Sequence, residues 1–410
     1  MKKLLILVLM MTMVGMLSAC SFNPKGNDLE VKNWSLITSS AQESTITVAI
    51  DHSNPLVATW FKETFAEHLK ATYDMTVKVI EQPLTKTLAT LEEEKTNEIE
   101  FGKIDIVIFE KEGFKEAKTK GLLYGPFADK LQTTKANMDT TALSFLTREG
   151  ILTDYYAVPY GQNQLSYIYN QDVFYETPED YDGFLALLEE FKGQFTYPDP
   201  RTSKEGEAFV LSIIGQDLDF EPFLTGDFDR KAFISAIQPG LDRLIQMKPL
   251  MKDQGTVYPE TTKALDDLFI NGAVMMSLSM DYNYATAKLK EYEYPEGAST
   301  FVVPTGVATY LEVASIAYNS PNKSGAIVAI NELLSPEMQV SKYDPKEWGS
   351  LPVFNDAVAE KTTLDQFKTV KLKSTTVKYN EFIPATMPEF TKEMIQVVLE
   401  QWETQVLKGE

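Results

Sequence analysis

Apolar runs and helical repeats alternate along the first third of the chain. Three runs rich in β-branched and apolar residues, typical of buried strands, lie at 45–50, 75–80 and 104–109. Helices are predicted between and after them at 55–69, 84–94 and 113–120. In the first helix the apolar side chains recur on one face, at Val57, Trp60, Phe61, Phe65 and Leu69. This alternation of strand and helix predicts a parallel α/β sheet.

The pattern changes after the first third and becomes richer in helices and loops. Extended segments are predicted at 155–161, 165–169, 273–280, 301–304 and 311–318. Helices are predicted at 184–191, from Ser203, at 320–334 and over most of the chain after 364. No internal repeat and no low-complexity tract interrupts this order.

The N-terminus has the pattern of an export signal. Lys2 and Lys3 precede an apolar run, Leu4–Leu17, that is shorter than the roughly 20 residues a membrane span needs. The run ends in Leu-Ser-Ala-Cys, with Cys20 as the cysteine, and this resembles the lipobox of bacterial lipoproteins. We therefore expect residues 1–19 to be removed and Cys20 to be lipidated, which anchors the protein on the extracytoplasmic face of the cell membrane. The alternative is an ordinary secretory signal with a chance cysteine.

Length and composition narrow the range of functions. Residues 20–44, rich in Ser, Asn, Lys and Thr, are predicted to be a flexible tether. Without residues 1–19, 391 residues remain, which is enough for two domains. Cys20 is the only cysteine, so no disulfide is expected. The formal net charge of −21 argues against nucleic-acid binding and favours a cationic partner.

Six segments, taken together and in order, resemble the extracellular solute-binding proteins of ABC-type importers. They lie at 105–127, 158–161, 195–209, 276–280, 326–337 and 344–349. The chain is most similar to the Ynj-type branch of that family, which is related to the thiamine, polyamine and ferric-iron receptors. One departure falls after the third predicted strand. That branch usually carries a Trp and an Asn there, whereas this chain has Phe109-Glu110-Lys111-Glu112.

The resemblance implies an α/β periplasmic-binding-protein fold of type II, with two lobes joined by extended hinge crossovers near 158–169 and 301–318. The first lobe is expected to comprise 45–158 and 303–345, and the second 159–302 and 346–410. A small solute would bind in the cleft between them without a cofactor. The expected partners are the transmembrane permease subunits of an ABC importer, and the protein is expected to be a monomer.

Catalytic motifs are lacking in the sequence. The two histidines, His52 and His68, belong to no H-E-x-x-H motif, and there is no G-x-S-x-G elbow. No metal site is predicted either. Tyr155 and Tyr156 are expected within one strand, where adjacent side chains face opposite ways and cannot easily bind one ion. We therefore predict a protein that is not an enzyme. A two-carboxylate glycosidase and a lipoprotein acting only through protein contacts remain alternatives.

Candidate ligand-binding residues lie in the loops after strands, at the crossovers and at a helix start in the second lobe. They are Asp51, Ser53, Glu110, Tyr160, Gln162, Asn163, Asp199, Arg201, Thr202, Ser203, Asp281, Tyr282, Asn283, Tyr310 and Trp348. Carboxylates, amides and aromatic faces in combination suit a small polar ligand with positive charge. A sugar or oligosaccharide is the alternative ligand.

Overall fold

The computed structural model describes residues 33–410 apart from 111, 292 and 356. The predicted export signal, Cys20 and the first part of the predicted tether lie outside the described residues. Within the described part of the chain, every helix is too short or too polar to cross a bilayer.

The described residues form eleven strands and nineteen α-helices. The strands are β1 (Thr45–Ile50), β2 (Thr76–Glu81), β3 (Ile106–Phe109), β4 (Leu123–Tyr124), β5 (Thr147–Arg148), β6 (Ile151–Leu152), β7 (Val158–Gln164), β8 (Ser166–Asn170), β9 (Met276–Ser279), β10 (Ala298–Phe301) and β11 (Thr309–Ala317). The helices are α1 (Trp34–Ala41), α2 (Pro55–Trp60), α3 (Ala66–Tyr73), α4 (Leu84–Thr96), α5 (Phe114–Thr119), α6 (Gln132–Asn137), α7 (Leu143–Leu146), α8 (Tyr181–Glu190), α9 (Lys204–Ile214), α10 (Glu221–Leu224), α11 (Arg230–Ala236), α12 (Gln238–Met247), α13 (Thr262–Ile270), α14 (Tyr284–Lys290), α15 (Lys323–Leu333), α16 (Pro336–Tyr343), α17 (Lys361–Phe367), α18 (Tyr379–Phe382) and α19 (Lys392–Gln401). A π-helical turn, Phe61–Phe65, joins α2 to α3.

The first sheet has the strand order β2-β1-β3-β11-β4, and β7 also pairs with β11. Strands β1, β2 and β3 are parallel, as the alternating pattern predicts. Strand β11 is antiparallel to β3, β4 and β7, so the sheet is mixed rather than wholly parallel. The strand that returns late in the chain is therefore inserted beside the early parallel strands.

The second sheet contains the strands β10-β8-β9, all antiparallel. The chain leaves the first sheet at Leu165, between β7 and β8, and returns to it between β10 and β11. These two passages fall within the predicted crossovers at 158–169 and 301–318. The mixed α/β architecture with two sheets joined in this way is the predicted two-lobed fold class.

Both faces of the first sheet are covered, which is why its strands are apolar throughout. Ile46, Val48 and Ile108 belong to the core on one face. Trp60 of α2 and Phe65 of the π-helical turn belong to the same core. On the other face, β1 and β3 pack with residues of α4 and α5, among them Ala49, Val107, Leu88, Leu91 and Phe114. The strand ends, with their loops, are consequently left as the polar edge of this lobe.

The predicted tether is wrong over its last part, because α1 lies within it. The Asn33 side chain caps this helix by accepting a hydrogen bond from the Leu36 N–H at 3.0 Å. Ile37 and Ala41, one helical turn apart, are buried in the core, and α1 packs against α15. Two apolar contacts therefore order a segment whose Ser-rich composition points to a linker.

Candidate functional site

Two candidate residues meet where the neighbouring parallel strands β1 and β3 end. The Ser53 hydroxyl donates to Glu110 Oε1 at 2.6 Å, and the Ser53 N–H donates to Glu110 Oε2 at 3.0 Å. Asp51, in the same loop, accepts from the Leu84 N–H at 2.7 Å and so caps the start of α4. The carboxyl ends of adjacent parallel strands lie at one edge of a sheet, and that edge is where open α/β sheets bind ligands.

His52 connects this loop to the strand that returns from the second lobe. Its Nδ1 accepts a hydrogen bond from the Asn54 N–H at 3.0 Å, so the hydrogen of a neutral ring lies on Nε2. Nε2 lies 3.0 Å from Glu312 Oε1 on β11. Asn163 on β7 donates to the same oxygen at 3.2 Å. The loop after β1 is thereby held against the pair of crossover strands, β7 and β11.

Glu312 is the centre of this arrangement, and sequence reasoning did not select it. It is 1% exposed and lies opposite Gly161 in the β7–β11 pair. Burial alone would raise the pKa of its carboxyl, but the hydrogen bond and charge of His52, the charge of Lys342 and the hydrogen bond from Asn163 outweigh burial and lower it. It is the one charged residue of β11, and an isolated acid in an apolar strand is a signal that the sequence does contain.

Tyr310, two residues before Glu312, reaches the second lobe. Its hydroxyl donates to Glu207 Oε1 on α9 at 2.9 Å. Ser203, another candidate, is the N-cap of α9 and accepts from the Gly206 N–H. Burial raises the pKa of Glu207, although the hydrogen bond from Tyr310 and the charge of Lys204 oppose it.

Together these contacts form one continuous set of polar groups between the two lobes, which we call the polar row. Strand pairing sets Tyr310 beside Asn163, which closes the gap between the two parts of the row. The polar row consists of Glu110, Ser53, His52, Glu312, Asn163, Tyr310 and Glu207. Four of its seven members are predicted site residues, whereas His52, Glu312 and Glu207 are additions from the structure.

Asp199, Arg201 and Thr202 form a separate cluster in the second lobe. Arg201 pairs with Asp199 at 2.7 Å and with Glu403 at 3.3 Å, and its guanidinium lies 5.5 Å from the centre of the Trp402 ring. The hydrogen bond from Arg201 lowers the pKa of Asp199. Thr202 donates to the Glu260 carbonyl at 2.7 Å. These residues therefore satisfy one another and fix the start of α9.

Three of the four aromatic candidates, Tyr160, Tyr282 and Trp348, are buried in this structure. Trp348 is 4% exposed, and its ring lies 6.0 Å from that of Tyr160, beside Trp60. Tyr282 is stacked on Tyr343 with ring centres 5.2 Å apart. Each of these rings has a packing role here, so none offers an open aromatic face.

The remaining candidates, Gln162, Asp281 and Asn283, make local hydrogen bonds. Gln162 is buried and donates to the Pro352 carbonyl at 2.8 Å. Asp281, exposed after β9, accepts from the Asn283 N–H at 2.8 Å. Desolvation by the surrounding protein raises the pKa of the Asp281 carboxyl, and the hydrogen bond from the Asn283 N–H only partly opposes this.

The structure places Tyr155 and Tyr156 differently from the prediction. Tyr155 lies in a turn with φ of 62°, so its assignment to a strand is wrong. The Tyr155 ring is next to Phe145, whereas the Tyr156 ring is next to Lys118, because the turn separates them. Among the residues that the structure describes, no three His, Cys, Asp or Glu side chains are grouped to bind a metal ion.

Comparison with known proteins agrees with this architecture. The family profile of the bacterial extracellular solute-binding proteins matches residues 62–370. A curated relative, protein YnjB of Escherichia coli, is 25% identical over 254 residues, which are 62% of this chain. The chain spans 65% of the length of that relative.

Solved structures of binding proteins share the fold at low sequence identity. The cyclic α-maltosyl-1,6-maltose binding protein of Arthrobacter globiformis has a TM-score of 0.63 at 18% identity, over 89% of this chain and 94% of that one. The maltose-binding protein of Listeria monocytogenes has 0.62 at 16%, over 90% and 93%. The spermidine/putrescine transporter substrate-binding protein of Streptococcus pneumoniae has 0.51 at 14%, over 88% and 99%. Because the family profile covers more than half of its length, this chain belongs to the bacterial extracellular solute-binding protein family.

Proposed function

We propose that this protein is the substrate-binding component of an ABC-type importer and binds a small cation between its two lobes. The polar row carries the proposal, because it joins the loops after β1 and β3, both crossover strands and the start of α9. Ligands of open α/β sheets bind at the carboxyl ends of the strands, where β1 and β3 place Ser53 and Glu110. The groups are suited to hydrogen bonding and charge pairing, and the protein acts by binding rather than by catalysis.

The carboxylates of the polar row favour a positively charged ligand. Glu110 lies on the first lobe and Glu207 on the second, and each receives a hydrogen bond from a hydroxyl group. A carboxylate 4 Å from an ammonium gains about 4 kcal/mol at an effective dielectric constant of 20, before desolvation is subtracted. The net charge of −21 adds a general attraction for cations.

A neutral sugar is the second candidate ligand. Two of the related structures named above bind maltose or a maltose derivative, and the carboxylates, Asn163 and Tyr310 of the polar row can also hydrogen-bond sugar hydroxyls. The buried rings of Trp348 and Tyr282 weaken this reading, because they provide no open platform for a sugar ring.

A thermal-stability screen of the purified full chain distinguishes the two ligands. Spermidine and thiamine represent the cations, and maltose represents the sugars. A ligand present at 100 times its Kd stabilises the folded state by about 2.7 kcal/mol. We expect a cation to raise the melting temperature, with a smaller effect at high salt. A salt-independent rise with maltose alone would replace the cation by a sugar, and turnover of chromogenic glycosides would favour the hydrolase alternative.

We further propose a location for the protein and a partner. Lipidation at Cys20 holds a monomer at the extracytoplasmic face of the membrane, and the loaded protein delivers its solute to the transmembrane subunits of the permease. The lobes, 45–158 with 303–345 and 159–302 with 346–410, close on the ligand by bending at the crossovers. The family of extracellular solute-binding proteins and the two passages between the sheets support this arrangement.

A further inference from the structure

A fully buried lysine lies beneath the crossover strands. Lys342, on α16, is 0% exposed. Its ammonium donates to the Ser350 hydroxyl at 3.1 Å and to the Leu351 carbonyl at 3.0 Å. It also lies 5.3 Å from the centre of the Trp348 ring. A lysine in such surroundings is expensive to keep charged, so its presence calls for an explanation beyond packing.

Titratable groups from several elements act on Lys342. The charge of Glu312 on β11 acts on it directly, and His52, from the loop after β1, is 3.0 Å from Glu312. Tyr160 on β7 is fully buried beside them, and burial, together with the charges of Glu312 and Glu110, raises its pKa. A single buried network therefore connects α16, both crossover strands and the loop that carries Ser53.

The network is tightly fitted at the crossover itself. The closest approach is at Gly161, where a Cβ atom would lie 2.4 Å from Glu312 Oε2 and 3.0 Å from the Ser350 hydroxyl. Backbone contacts are equally specific, because Gln339 of α16 donates to the Tyr160 carbonyl at 2.9 Å. Any bending of β7 against β11 at this point must move Glu312 relative to Lys342.

We propose that Glu312 and Lys342 are positioning residues of the ligand site, and that proton uptake by their buried network loosens the crossover strands and opens the cleft. That this cleft holds a ligand rests on the proposed function. The network positions Ser53 through its neighbour His52, so a change in the protonation of the network reaches the ligand loop without any contact to ligand.

The direction of the pH effect follows from burial. Burial lowers the pKa of Lys342 from 10.5 to about 7, and the charge of Glu312 only partly opposes it. A looser arrangement hydrates the ammonium and returns its pKa towards 10.5. The looser arrangement therefore binds more protons between these values. Each unit of pH decrease within that range favours it by at most about tenfold, and below about pH 7 the effect levels off.

Trp348 provides a reporter that needs no ligand. Its ring faces the Lys342 ammonium at 5.3 Å, so its fluorescence is expected to change when Lys342 gains or loses its proton. The measurement is the fluorescence of the purified full chain from pH 5.5 to 9.5, with Trp348→Phe subtracted to isolate this ring. We expect a step with a midpoint near pH 7 in the natural chain. Lys342→Met should remove the step, and Lys342→Gln, which keeps a donor for Ser350 and Leu351, is the second variant if Met impairs folding.

Small-angle scattering on the same samples tests the conformational part. We expect a larger radius of gyration at pH 6.5 than at pH 9.5 in the natural chain and no difference in the Lys342 variants. A fluorescence step that persists in both variants, or a radius that is constant with pH in the natural chain, would overturn the proposal. Because no ligand is added, either result is independent of whether the protein binds a cation, a sugar or neither.

Discussion

Tyr310 on the crossover strand β11 donates a hydrogen bond of 2.9 Å to Glu207 on α9. Tyr310 precedes Glu312 by two residues on β11, so this contact lies next to the buried charge network. Burial raises the pKa of the Tyr310 hydroxyl well above its usual value, and the charge and hydrogen bond of Glu207 and the charges of Glu389 and Glu205 raise it further. The contact therefore joins β11 to α9 through a carboxylate, which is the kind of group that the proposed cation would pair with.

Glu207→Gln is expected to weaken cation binding by about 10- to 100-fold. The reason is the loss of one charge-assisted interaction, worth about 1.5–3 kcal/mol. The measurement is a calorimetric titration with the cation selected by the stability screen, at low and high salt. Binding by the natural chain should also weaken as the pH falls through the raised pKa of Glu207, because the carboxyl then loses its charge.

Two further variants control that experiment. Glu189→Gln removes an exposed carboxylate of α8 and should leave the affinity unchanged. Tyr310→Phe keeps the charge of Glu207 and should preserve the salt dependence. Equal affinity for the cation in Glu207→Gln and Glu189→Gln would remove Glu207 from the site.

The strands, and the polar residues that directly follow them, could be predicted where the local sequence pattern determines them. The β-branched runs of β1 and β3 are visible in the sequence, and the end of each strand identifies Ser53 and Glu110. Glu312, Glu207 and Lys342 could not be placed in this way. Their proximity depends on the register between β7 and β11 and on how α16 packs beneath them, and these are contacts between residues far apart in the chain.

The same dependence on contacts between distant residues explains why the aromatic candidate Trp348 is buried. Trp348, which precedes Gly349, is among the ligand-binding candidates predicted from the sequence. Its ring is nevertheless covered by Trp60, Phe61 and Tyr160, all of them distant in sequence. Burial of a large ring is decided by tertiary packing, which composition and periodicity do not contain.

His68→Gln is expected to destabilise the protein more at pH 5.5 than at pH 8.5. His68 Nε2 lies 2.9 Å from Glu332, and this hydrogen bond, with the charges of Glu332 and Glu337, raises the pKa of His68 despite burial. A raised pKa contributes stability that is fully present below the unfolded value of 6.5 and is lost as the pH rises through the folded value. Urea unfolding at both pH values measures the difference.

Tyr73→Phe is the matched control for that variant. The Tyr73 hydroxyl donates to the other oxygen of Glu332 at 2.9 Å, but burial raises its pKa to about 12, so it does not titrate between pH 5.5 and 8.5. Its loss should cost the same at both pH values. A His68→Gln effect that is equally constant would mean that the ring is not charged in the folded state.

Cys20→Ala is expected to release the protein from the membrane fraction of cells. The reason is that the proposed anchor is a lipid on this thiol and that the described residues contain no membrane-spanning helix. The measurement is fractionation followed by a carbonate wash, with Ser21→Ala as the neighbouring control. If Cys20→Ala resists the wash as well as Ser21→Ala does, the anchor lies elsewhere.

Gly161→Ala is expected to destabilise the protein by about 1–3 kcal/mol, because overpacking at a closely fitted position costs energy of this size. The added methyl group would lie 2.4 Å from Glu312 Oε2. Glu312 cannot move aside freely, since His52 and Asn163 both bind its other oxygen at 3.0 and 3.2 Å. Gly226→Ala is the control, because a Cβ there meets no atom within 4 Å, and its cost should stay within about 0.5 kcal/mol. Denaturant unfolding of both variants measures the difference, and equal stabilities would mean that Glu312 is not held against Gly161 in the folded protein.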